Sequence, residues 1–419
     1  VIRDEMREIT PLWGEERMKK RENGDLETGI DWSSLYKKED WWAVWIGFII
    51  LGLASMRVVT WMPKIGKWTT DVTISINAAD TSYFISVWLP NFILAGAFLL
   101  ALTGVVVLVL KERLKNYLLG FSIVFLLAFA SFLIANQSFV AYLGLEFVLW
   151  ALLIGLLISN TIGVPEWLKS AVKTELFIKI GLVLLGAEIL FNVLLSAGAV
   201  GLFEITLGLF IVWYFCYHLA IKMRMGKSFA CVMASATSIC GVSAAIAAGG
   251  AVKGDPKEVS YTISLVLLFA MPMLVLMPMA ARIAGLPAAV TGAWIGGTID
   301  TTPAVVAAGA LYDEKAVQVA SIIKMSQNVL IGITAFLLAL YWVVKVDRKA
   351  DDKPKPMEIW YRFPKFVLGF VIASLVFSFL LLPALGNSAT NAILNVTKGI
   401  RGWYFAMAFV CIGLDTKFK

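Results

Sequence analysis

The feature that most constrains this chain is the recurrence of apolar runs of about 20 residues, the length a helix needs to cross the hydrocarbon core of a bilayer. Ten such runs occupy 41–60, 91–110, 117–135, 145–164, 177–198, 200–223, 259–281, 323–344, 364–386 and 397–415. With 59% hydrophobic and 16% charged residues, the composition lies far from that of a soluble domain. In lipid every backbone amide and carbonyl needs an internal partner, a condition that a helix meets by itself. The sequence therefore predicts an all-α fold, a polytopic transmembrane helical bundle.

Two further segments, 229–251 and 286–311, are built from Gly, Ala, Ser and Thr, where the other runs are built from Leu, Ile, Val and Phe. Small residues let membrane helices approach closely, which predicts that these two lie inside the bundle. They also echo each other: "TSICGVSAAIAAG" at 237–249 returns as "GTIDTTPAVVAAG" at 297–309, and five of the eleven positions from Ile239 and Ile299 onward are identical. After the shared Ile, each turns to residues that disfavour a helix, Cys240, Gly241 and Ser243 in one and Asp300, Thr301, Thr302 and Pro303 in the other. A proline inside a helix costs about 3 kcal/mol but is well placed at a helix start. A break is thus expected at 300–301, with Thr302 as cap and Pro303 first in the new helix, and the repeat predicts a matching restart at Val242-Ser243. Broken helices at membrane depth occur where they are buried in protein or line a cavity. Their N-terminal amides and dipoles favour anions, and paired half-helices form the centre of many secondary transporters. Loop parity allows both segments to span or both to re-enter, and the expectation is re-entrant or half-crossing hairpins that enter from opposite sides. A second echo, "LLGAE" at 184–188 and "CIGLD" at 411–415, fits an internal, inverted repeat.

The loops carry an alternating charge signal. Lys111, Arg113 and Lys115, then Lys222, Arg224 and Lys227, then the basic stretch 345–365 alternate with loops free of Lys and Arg, which predicts a cytoplasmic N-terminus. The net charge of +7 is therefore a topology signal, and nucleic acid is not an expected partner. His218 is the sole histidine and the four cysteines have no metal-ligand spacing, which argues against a metal site, a catalytic triad and an enzyme. "MGKS" at 225–228 has Ile221 where a phosphate loop needs Gly, so transport driven by gradients is expected, with no cofactor beyond a coupling Na+ or H+.

The expected organisation is a cytoplasmic arm (1–40) with Trp13 and Trp32 as interfacial anchors, transmembrane scaffold helices (41–144) with an external connection at 61–90, a transporter core (145–346), a cytoplasmic linker (347–362) and C-terminal transmembrane helices (363–419). The chain opens at Val1, and the expectation is that an initiator region precedes it.

An ionisable group at membrane depth is costly and usually functional. Asp300 is the leading coupling-ion candidate against the alternative of a helix cap, and Glu188, Asn192 and Asp415 are further ones, Glu188 and Asn192 standing at i, i+4 on one expected helix. Substrate-binding candidates are Thr237, Ser238, Cys240, Gly241 and Ser243 at the first break, and Thr298, Thr301 and Thr302 at the second. Lys324, Gln327 and Asn328 at the start of the next span complete the set, Lys324 either balancing charge or binding the anion, or else snorkelling to the interface.

These residues bear a resemblance to a known family. The strings "WALLIGLLISN" (150–160), "KIGLVLLGAE" (179–188), "SICGVSAAIAA" (238–248), "KEVSYTISLVLLF" (257–269), "GGTIDTTPAVVAAG" (296–309) and "IGLDTKF" (412–418) resemble the YeiH-type sulfate exporter family of bacterial and archaeal membrane proteins. The resemblance covers 145–419 and implies an inner-membrane transporter with inverted repeats. It is distantly similar to cation/proton antiporters and to bile acid and glutamate symporters. Many shorter members carry a His-Glu pair where this chain has Asp300-Thr301, so proton chemistry at that His does not carry over. The family continues past the Gly-Leu-Asp-Thr stretch, which implies further helices after Lys419. Residues 1–144, outside the match, are expected to serve as a scaffold or for homodimer formation. The expected function is secondary export of a small anion (sulfate, sulfite or an organosulfonate) with H+ or Na+. The alternative is a cation/proton antiporter that uses Asp300 and Glu188.

Overall fold

The computed structural model describes residues 34–63, 65–66, 68, 89–142, 147–189, 191–346, 360 and 363–417. The expected arm up to residue 33 with its Trp13 and Trp32, most of the 61–90 connection, and the linker apart from Trp360 lie outside the described residues. Besides short helical turns, the chain forms α1 (Glu39–Ser55), α2 (Leu89–Val109), α3 (Leu114–Ala135), α4 (Phe147–Thr161), α5 (Thr174–Glu188), α6 (Phe191–Lys222) and α7 (Lys227–Ser235). It continues with α8 (Gly241–Ala251), α9 (Pro256–Ile283), α10 (Ala288–Thr298), α11 (Thr302–Tyr312), α12 (Glu314–Tyr341), α13 (Lys365–Leu375) and α14 (Leu382–Asp415). π-Helical turns follow α7, α12 and α13. Seven helical stretches among the described residues are long and apolar enough to cross a membrane, and the chain is a polytopic helical membrane protein.

Contacts divide the chain into two compact units, one of residues 33–194 and 365–419, the other containing 195–364. The expected division at 144 and 145 is not where contacts separate. The division falls inside α6, and the C-terminal helices join the first ones. The expected spans 177–198 and 200–223 are also redrawn, because α5 ends at Glu188 and α6 runs unbroken for 32 residues. The expected spans 364–386 and 397–415 are divided at Gly386, where the backbone is non-helical (φ +74°, ψ 169°) and two helices meet at a kink.

In the first unit glycines set the distances between helices. A Cβ on Gly413 of α14 would stand 2.5 Å from the Leu152 carbonyl oxygen, and one on Gly155 of α4 would stand 2.8 Å from Gly413 Cα. Gly186 of α5 likewise faces the backbone of Phe370 on α13. Both glycines of the "LLGAE"/"CIGLD" echo are thus sites where helices cross backbone to backbone. Trp403 stacks with Phe125 at 4.8 Å and lies 5.0 Å from Phe132, while its Nε1 donates to the Pro63 carbonyl at 3.1 Å.

The second unit is organised around α12, whose 28 residues extend about 42 Å at 1.5 Å each. α10 and α11 form a hairpin against its N-terminal half. Gly292 and Gly296 of α10 abut Ala316 and Ala320 in turn, and α11 then returns, Thr302 meeting Asn328 and Gly309 reaching Val317. α7 and α8 form a second hairpin. Its 25 residues would be long enough to cross a bilayer. Its ends meet instead, for Ser228 at the start of α7 lies against Gly254, just after α8. This hairpin packs on the C-terminal half of α12, with Ala244, Ala247 and Ala248 in one apolar cluster with Ile331, Ala335 and Leu338. The hairpins therefore approach α12 from its opposite ends. Extra volume at a backbone crossing cannot relax by side-chain movement alone. Gly413→Val is expected to lower the thermal unfolding midpoint in detergent by the equivalent of about 1–3 kcal/mol or more. Gly402→Ala, on the same helix with open space around it, should leave the midpoint unchanged or raise it.

Candidate functional site

The two hairpin tips are the repeated strings. In the first, the helix breaks at Cys240 (φ −154°, ψ 82°) and Gly241 (φ 7°, ψ −92°), both non-helical, and regular helix resumes after them, as the repeat predicts. In the second, α10 stops at Thr298 and α11 starts at Thr302, with Thr301 in the cap position and Pro303 one place inside, so the restart is one residue earlier than expected. Thr301 makes no side-chain capping bond. The tips touch: a Cβ on Gly241 would lie 3.3 Å from Asp300 Cβ and 3.5 Å from Thr301 Cγ2, and Cys240 Sγ is 4.0 Å from Thr302 Oγ1.

Lys324 sits between them. It lies ten residues into α12 and is 1% exposed, which overturns the snorkelling alternative and the expected span start at 323. Its Nζ donates to the carbonyl of Ile239, the carbonyl of Ile299 and Gln327 Oε1, each at 2.9 Å. Ile239 and Ile299 are the matched residues of the repeat, each where the first half of its hairpin ends. All three ammonium protons are therefore engaged, and the positive charge rests on two helix C-termini whose partial charges are about −0.5 each. Gln327 extends the junction, its Nε2 donating to the Gly297 carbonyl at 3.3 Å.

The other ends of the break are the N-termini of α8 and α11, and the acceptors beside them are unpaired. Asp300, half-buried, takes part in no hydrogen bond or ion pair among the described residues. It does not cap α11, which removes that alternative. Asn328, 1% exposed and one turn from Lys324, donates through Nδ2 to Thr302 Oγ1 at 3.3 Å, while its buried Oδ1 has no partner.

The remaining candidates are placed differently. Thr237 and Ser238 donate back to the carbonyls of Met233 and Ala234 within their own helix. Ser243 and Thr298 are exposed. The structure thus gathers Cys240, Gly241, Asp300, Thr301, Thr302, Lys324, Gln327 and Asn328, and leaves the others at the margin.

Glu188, Asn192 and Asp415 belong to the first unit. The break at Ile189 (φ −105°, ψ 118°) ends α5 at Glu188 and puts Asn192 on α6, so the expected shared helix face does not exist. Sequence reasoning missed Arg401, which grips Glu188 with two bonds, Nε to Oε1 at 2.8 Å and Nη2 to Oε2 at 3.0 Å, both side chains being under 9% exposed. The signal was an arginine inside an apolar run. Ser374 and Ser378 hold the break, one donating to the Ile189 carbonyl and the other accepting from Phe191 N. Asp415 is exposed at the end of α14 and accepts from Thr174 Oγ1.

A family model described as Conserved hypothetical protein 698 matches residues 119–419. The chain belongs to this YeiH-type membrane-protein family. It is 42% identical to a UPF0324 membrane protein of Rhodopirellula baltica, over 85% of this chain and 65% of that protein. It is 38% identical to one of Nitratidesulfovibrio vulgaris, over 85% and 63%, and 32% identical to one of Nitrosomonas europaea, over 93% and 90%. The chain spans less than two thirds of the length of the first two relatives. No solved structure matches it.

Removing the ammonium strands two buried carbonyls, each at a cost of about 1–3 kcal/mol. Lys324→Met should lower the unfolding midpoint and speed amide exchange at 239–243 and 299–305 while exchange in α4 and α14 stays unchanged. For the ion pair, Glu188→Gln and Arg401→Met should each destabilise by about 3–5 kcal/mol. The double variant is expected to be more stable than either single one, by thermal unfolding.

Proposed function

We propose that this protein is a secondary transporter of a small oxyanion or sulfonate and that the joined hairpin tips are its substrate site. The observation that carries this reading is the three-way bond of Lys324. The ammonium neutralises the two half-helix C-termini, and the two N-termini, each with first-turn amides and about half a positive charge, are left for a ligand. Thr302 Oγ1 adds a hydroxyl at that place. A fixed binding point at mid-helix, reached by hairpins from opposite ends, suits alternating access. Export coupled to H+ or Na+, an inner-membrane location and a cytoplasmic N-terminus belong to the same proposal, the last from the loop charges.

A cation/proton antiporter is the second reading, favoured by the unpaired carboxylate of Asp300. Proteoliposomes under imposed pH and Na+ gradients separate the two. Flux of sulfite, sulfate or methanesulfonate that Thr302→Val lowers tenfold or more supports the anion reading. Na+ movement linked to pH, indifferent to every anion offered, refutes it in favour of the second.

A further inference from the structure

We propose that the site selects anions that carry their own hydrogen-bond donor, an O–H or N–H on a monoanionic head, and rejects acceptor-only anions such as sulfate. This rests on the anion reading above and names its substrate class. The argument is a donor and acceptor count at the crossing. For the negative part of a ligand the protein offers helix N-termini and the Thr302 hydroxyl. Beside them stand two acceptors without a donor among the described residues, the Asp300 carboxylate and the buried Oδ1 of Asn328.

Among the described residues no charged side chain donates to either acceptor. The ammonium of Lys324 is the charged group that faces Asp300 from α12, and its three protons are already bound. α8 and α10 contain no ionisable residue. On α9, Lys257 and Glu258 lie in the first turn and Arg282 in the last, where Arg282 donates to the carbonyls of Leu311 and Tyr312 at the far end of α11. Tyr312, also at that far end, gives its hydroxyl to the Leu286 carbonyl. A fully deprotonated tetrahedral anion would place a lone pair against each unpaired acceptor. A hydrogen anion, or a sulfonate bearing an amino group, would instead donate to one or both, and a site built to receive such a donor rejects the analogue that lacks it.

The test is a binding panel on the purified full chain, by calorimetry and thermal shift at slightly acidic pH and constant ionic strength. Phosphate and hydrogen sulfite are the donor-bearing probes, and sulfate and methanesulfonate the acceptor-only probes, so that size and charge are both controlled. The expected result is tighter binding of the donor-bearing pair by about tenfold or more, the factor for leaving a buried acceptor without a donor. In Asp300→Asn, whose amide can donate, the preference should shrink or reverse. If that variant does not fold, the wild-type panel decides alone. Equal or tighter binding of sulfate by the wild type, with or without proton uptake, overturns the selectivity and leaves the transporter reading standing. Binding of no anion, together with pH-linked Na+ flux, overturns both.

Discussion

Three oxygens at 2.9 Å from Lys324 Nζ join the tips of two hairpins that reach it from opposite ends of α12, and the second unit is arranged around that junction. The bond depends on backbone proximity. A lysine stem reaches Ile299 only because Gly292 and Gly296 bring α10 into backbone contact with Ala316 and Ala320. Lysine also suits the task chemically, since three donors on a compact head can serve three acceptors arriving from different directions, where a planar guanidinium would not. Small residues, close packing and the buried charge are therefore successive steps of one cause.

The first unit handles an ionisable group differently. Glu188 ends a helix at a break, as Asp300 follows the end of one, yet Glu188 is held in two parallel bonds by Arg401, whose guanidinium also lies 5.4 Å from the Phe405 ring centroid. The freed backbone groups at its break are taken by Ser374 and Ser378. Every polar group named there has a protein partner. At the hairpin tips the carboxylate of Asp300 and one amide oxygen of Asn328 do not. Because an unpaired polar group away from water carries a persistent cost, this contrast supports the proposed ligand site at the tips and gives the ion pair a structural part.

What was legible in the sequence follows from where its signals lie. The hairpins were readable because their constraint is local: Pro303 suits the first turn of a helix, Gly241 tolerates a non-helical backbone, and the repeat marks both places. Of the three partners of Lys324, Gln327 stood out in the sequence, whereas the other two are backbone carbonyls, which leave no residue-type signature. The break at Ile189 was hidden for a related reason. Its residues are ordinary apolar ones, and the serines that stabilise it are about 185 residues away in sequence. The carboxylate echo drew attention to Glu188 and Asp415, while its glycines, at two backbone crossings, were the part with a common structural role.

The difference between the two copies of the repeat now has a physical account. Two half-helix C-termini bring about one unit of negative charge to the crossing, and one lysine offsets it. Two N-termini bring about one unit of positive charge, and one carboxylate offsets that. A second acid, at Cys240, would leave the crossing negative, and a neutral residue at position 300 would leave it positive. Charge balance therefore requires the copies to diverge at this pair of positions, with Cys240 neutral and Asp300 charged. In the proposed transporter, an incoming anion would upset this balance unless it brought a proton with it, carried on itself or delivered to Asp300. Both the donor selectivity and any coupling to protons would thus originate in the same asymmetry between the hairpin tips.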